Sequence, residues 1–146
     1  MNGYIMSVLL AVLAGGMGAV QGTVNAGIGK INGQYVMIIG VSIVQAIVSS
    51  VILLKNGWPP SSSNLFSPWM ILAGILGVGI MFGISSSIGS IGPLTVYVLV
   101  ILGQIMTSSV INHFGMLGVP RMPITPQKIA SILIILLGVY CLSKSS

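Results

Sequence analysis

Apolar residues in this chain gather into continuous runs and do not alternate with polar ones. Four runs, Tyr4 to Gly29, Tyr35 to Leu54, Trp69 to Ile88 and Pro93 to Ile111, approach the roughly 20 residues a helix needs to cross a bilayer core. A fifth, Ile129 to Leu142, is shorter. It reaches spanning length if Pro126 is its first helical residue and Thr125 its N-cap, which sets the fifth span at 126–143. Lys128 and Lys144 then snorkel to opposite interfaces. Transmembrane β-strands would alternate in polarity, so a barrel is not expected. The pattern predicts an all-α membrane protein with five transmembrane helices in a single transmembrane domain over 1–146.

The connectors near Lys30–Gln34 and Gly89–Pro93 are tight, which implies antiparallel neighbouring helices. Two others are longer: Lys55 to Pro68, rich in turn residues, and Asn112 to Pro126, which carries Pro120, Pro123 and Pro126. Tyr4, Trp58 and Trp69 fall at span ends, with Tyr35 and Tyr140 at the opposite ends, as interfacial aromatic belts require. The first run lacks a basic n-region and exceeds a signal-peptide core in length, so it reads as a transmembrane helix.

Composition narrows the chemistry. The 146 residues include 5 Lys+Arg, 1 His and no Asp or Glu. Without carboxylates the chain has no glycosidase pair, no Ser-His-Asp triad and no oxygen-rich Mg²⁺ or Ca²⁺ site. An enzyme is not expected. Cys141 stands alone in an apolar helix, so there is no disulfide framework. His113 has no second His or Cys at ligand spacing, and neither a metal nor another cofactor is expected. The cations are dispersed along span ends, which suits phospholipid headgroups and not nucleic acid.

With five spans, Lys55, Arg121 and Lys128 lie on one side of the membrane and Lys30 and Lys144 on the other. So even a split leaves the positive-inside rule almost nothing to act on. Two readings follow: a weak single orientation, or dual topology in which copies insert both ways. An antiparallel dimer of five-helix chains would have ten helices about an in-plane pseudo-two-fold, the symmetry that inverted-repeat transporters hold within one chain.

Amides and hydroxyls are the informative groups inside the spans. In the first, helical periodicity gathers Gly15, Gly18, Gln21, Gly22, Asn25 and Gly29 on one side. Gly15, Gly18 and Gly22 suit close helix packing, and the two amides either bond across that seam or line a substrate cavity. The second span carries Ser42, Gln45 and Ser49 on one face, and the fourth carries Tyr97, Gln104, Ser108 and Asn112. If the three stripes converge, Gln21, Asn25, Gln45, Tyr97, Gln104 and Ser108 line a midplane cavity of neutral donors and acceptors. The third span, with Gly74, Gly77, Gly79, Gly83 and Ser85 to Ser87, is either a crowded packing helix or a hinged one. His113 precedes Gly115, a plausible C-cap; it reads as an interfacial residue or, less simply, as a proton-responsive one.

The most distinctive text is Gly103-Gln104, then Asn112-His113-Phe114-Gly115 and Val119-Pro120-Arg121, with Ala14-Gly15-Gly16, Gln21 and Asn25 earlier. Together these resemble the YdcZ family of inner-membrane exporters, within the drug/metabolite transporter superfamily. The resemblance implies half of a ten-helix transporter, found as lone dual-topology chains, as oppositely oriented pairs and as fusions. Its members often have an acid where Asn112 stands, so carboxylate-based proton coupling is not expected here. The related small multidrug-resistance exporters depend on a membrane glutamate, and this chain has none. The expected function is export of a small molecule by alternating access, through an antiparallel homodimer or a heterodimer with a paired homologue, in the bacterial cytoplasmic membrane. A non-transporting accessory subunit and a passive pore are the alternatives.

Overall fold

The computed structural model describes residues 2–57 and 67–144. Trp58 and most of the connector after Lys55 lie outside the described residues, as does the Lys144 side chain. Five α-helices follow one another: α1 Asn2–Asn32, α2 Gln34–Asn56, α3 Pro68–Ile91, α4 Pro93–Phe114 and α5 Pro126–Lys144, with one 3-10 turn at Met116–Gly118. There is no strand among the described residues. Each of α1 to α4 contains one of the apolar runs and extends one or more residues beyond it. Helix is the only open structure in which a lipid-embedded segment pairs all its backbone polar groups internally.

Among the described residues four helices are long and apolar enough to cross a membrane, Gly3–Asn32, Gln34–Asn56, Pro68–Ile91 and Pro93–Phe114. The apolar part of α5, Pro126–Cys141, is shorter. Its full 19 residues nevertheless extend about 28 Å at the helical rise, close to the bilayer core. Its start follows the expected chemistry: Pro126 opens the helix and the Lys128 amide N–H donates to Thr125 Oγ1 at 3.3 Å.

Little of the chain is buried against itself. Among the described residues Met37, Ile38 and Val96 are the buried hydrophobic ones, whereas Leu13, Val20, Ile47, Trp69, Ile75 and Leu137 are exposed. Apolar surface on that scale is far beyond what a soluble monomer presents. Its solvent is lipid, and the chain is a multi-pass membrane protein.

The chain folds as two compact units, Met1–Ser90 and Ile91–Ser146. In the first, α1 turns into α2 through Gly33, at φ 90° and ψ 145°. That backbone conformation is essentially reserved for glycine. The Gly33 N–H donates to the Gly29 carbonyl at 3.0 Å and the Met37 N–H donates to the Gly33 carbonyl at 3.1 Å, so the ladder is only briefly interrupted. In the second unit α4 ends at Gly115, whose left-handed conformation (φ 64°, ψ 37°) sends the chain back toward the helix it has left.

Candidate functional site

In the first unit the buried positions of α1 are Gly22, Asn25 and Gly29. They recur at three- and four-residue spacing and so share one side of the helix. Gly15, Gly18 and Gln21 are exposed, so the glycine stripe is covered only toward the turn with α2. Asn25 is a buried polar residue, 5% exposed. On α2, Ser42, Gln45 and Ser49 are exposed. Gln21 and Gln45 stand equally far from Gly33 along the chain, so the helical rise puts each about 18 Å from the turn. That is near the middle of a bilayer core about 30 Å thick.

The best-defined polar contact in this unit involves Gln34, a residue the polar stripes do not single out. Ser85 Oγ on α3 donates to Gln34 Oε1 at 2.6 Å, and Ser85 is 2% exposed. The Gln34 amide lies directly against Gly29: a Cβ there would sit 2.6 Å from Gln34 Oε1 and 2.8 Å from Cδ. Beside it, the Tyr35 ring stacks on Phe82 at 5.6 Å with 22° between planes. Glycine at 29 therefore admits an amide that ties the α1–α2 turn to α3. A glutamine one residue past a glycine turn, with another glycine five residues before it, was the available sequence signal. Its partner on α3 had none that separated Ser85 from Ser86 and Ser87.

In the second unit Tyr97 and Asn112 on α4 are half-buried, whereas Gln104 and Ser108 are exposed. Ser108 Oγ donates to the Ile105 carbonyl at 3.1 Å, which leaves its lone pairs as acceptors. The six expected substrate-facing residues thus divide between the units, with Gln21, Asn25 and Gln45 in the first and Tyr97, Gln104 and Ser108 in the second.

His113 is neither a plain cap nor a solvent-facing ring. The Ile124 N–H donates to its Nδ1 at 3.1 Å, while its own carbonyl accepts from Arg121 Nε at 3.1 Å. The Met122 N–H donates to the Asn112 carbonyl at 2.7 Å. Asn112 and His113 thus hold the returning segment against the end of α4. Accepting at Nδ1 requires the neutral tautomer with its proton on Nε2. Among the described residues no cluster of His, Cys, Asp or Glu suits a metal ion.

A helical chain of apolar spans belongs to the class of multi-pass membrane proteins. More particularly, the family model described as "putative inner membrane exporter, YdcZ" matches residues 6–141, and the chain belongs to that family. No curated protein and no solved structure matches it. Membership places it among inner-membrane transporters, in agreement with the apolar helices.

Proposed function

We propose that the chain is one half of a small-molecule exporter, working by alternating access as an antiparallel ten-helix dimer of dual-topology chains. The observation that carries this reading is the set of amides left uncovered at membrane depth: Gln21, Gln45 and Gln104 are exposed in the single chain. Hydrocarbon cannot satisfy an amide, so each must meet another polar group or face a water-filled cavity. The near-even split of the five cations favours a second chain inserted the other way up, either an identical copy or a paired homologue.

Gln21, Asn25, Gln45 and Gln104 are the substrate's hydrogen-bonding groups, with Tyr97 as an aromatic wall and Ser108 as a hydroxyl acceptor. Gly15, Gly18 and Gly22 allow close helix packing, Gly22 within the chain and the other two against the partner. Because the chain has no carboxylate, the favoured substrate is polar but neutral, or amphipathic, and not a strongly cationic compound. Any proton coupling within a homodimer falls to His113 or is absent.

Flux of candidate neutral metabolites in proteoliposomes tests the reading. Gln104→Ala and Asn25→Ala should each lower flux roughly three- to tenfold, the size of one lost hydrogen bond, while crosslinked dimer yield stays unchanged. Unaltered flux in both would remove the site. Flux that fails to saturate would indicate a pore, and no flux together with a stable foreign partner would indicate an accessory subunit. C-terminal reporters detected on only one side of the membrane would refute dual topology.

A further inference from the structure

The segment from Asn112 to Lys128 has more order than a connector needs. Arg121 and Lys128 are both exposed, yet both are held by backbone carbonyls of this same segment. Arg121 Nε donates to the His113 carbonyl at 3.1 Å and Lys128 Nζ donates to the Pro123 carbonyl at 3.3 Å. The two anchoring points are themselves joined, because Ile124, directly after Pro123, donates its N–H to His113 Nδ1. Each cation spends one donor on its tether, and the rest of the guanidinium fork and of the ammonium remains for another group. No side-chain carboxylate of this chain can take them, since it has no Asp or Glu.

The same segment carries apolar side chains that water does not favour. Phe114 is 65% exposed, Leu117 67% and Met122 54%. Leu117 also has a left-handed backbone, φ 58° and ψ 25°. This is an uncommon conformation for a non-glycine residue. Fixed cations and exposed apolar side chains, placed between the ends of two membrane helices, complement a molecule that is anionic at its head and apolar behind it.

We infer that the Asn112–Lys128 segment binds the phosphate headgroup of an anionic phospholipid, with Arg121 and Lys128 on the phosphate and Phe114, Leu117 and Met122 against the upper acyl chains. A free phosphate shares the headgroup chemistry but makes no use of the apolar residues.

The test titrates the purified protein in neutral detergent with dioleoylphosphatidylglycerol and, separately, with dioleoylphosphatidylcholine, counting bound lipid by native mass spectrometry. Phosphatidylglycerol should bind the more tightly. The double variant Arg121→Gln/Lys128→Gln should weaken its binding about thirtyfold, from the usual contribution of two basic residues at an anionic membrane surface. Phosphatidylcholine binding should not change. Equal affinity for the two lipids, or an unaltered double variant, would overturn the inference. Millimolar inorganic phosphate should fail to displace the lipid; displacement would overturn the lipid assignment in favour of a free anion. Should the double variant not fold, a photoactivatable phosphatidylglycerol on the wild-type protein decides the matter. Adducts should map to residues 112–128, and adducts found only elsewhere would refute the site.

Discussion

Replacing Gly29 by alanine adds one methyl group directly against the Gln34 amide. The new Cβ would lie 2.6 Å from Gln34 Oε1, 2.8 Å from Cδ and 2.9 Å from Nε2, so the whole amide must move. It has no free path, because Oε1 already accepts from the buried Ser85 hydroxyl at 2.6 Å. Losing an interhelical bond of this kind in a membrane costs about 0.6 kcal/mol on average and up to about 1.7 kcal/mol. An off-rotamer glutamine adds about 0.5–1.5 kcal/mol. Alanine also gains about 0.5–1 kcal/mol over glycine within a helix. Gly27→Ala removes that term from the comparison, since a Cβ at Gly27 meets nothing within 4 Å. Gly29→Ala should therefore be less stable than Gly27→Ala by about 1–3 kcal/mol, read by equilibrium unfolding in a mild detergent. In a Gln34→Ala background the difference should vanish. Equal stability of the two alanine variants, or a penalty that survives Gln34→Ala, would refute the reasoning.

Further expectations concern the turns and the second unit. His113→Ala leaves the Ile124 N–H without its acceptor and should destabilise the segment by about 1–3 kcal/mol, seen as faster proteolysis between 115 and 125; His113→Asn, which restores an acceptor, should recover part of this. Gly33→Ala forces a side chain onto φ 90° and should cost about 1–3 kcal/mol in thermal unfolding, whereas Gly40→Ala, in open space within α2, should cost nothing. A double-mutant cycle on Tyr35 and Phe82 should return a coupling of about 0.5–1.5 kcal/mol; a value indistinguishable from zero would show that the stacked pair is incidental.

The membrane architecture is legible in the sequence alone, because span length and continuous apolarity are imposed by the bilayer and need no knowledge of partners. Helix ends were legible where local chemistry sets them. Thr125 and Pro126 open α5, and Gly115 closes α4 in the left-handed conformation that a C-cap glycine favours. Periodicity puts Gly22, Asn25 and Gly29 on one face of α1, and near the turn all three are buried. It could not say how far along the helix that face is covered, since spacing defines a direction and not a neighbour.

Tertiary structure decided the pairings. The sequence places Gln34 in a short connector, yet its amide bonds Ser85 across 51 residues and sits on Gly29 because no Cβ stands there. His113 reads as an interfacial or proton-responsive residue, and in the fold its Nδ1 and carbonyl gather Ile124 and Arg121 around the end of α4. Composition and periodicity are properties of the chain taken alone, and lipid acts on them directly. A hydrogen bond between distant residues depends on which backbones approach, and that was fixed here by two glycines, at 29 and 115, whose missing side chains leave room for Gln34 and Arg121.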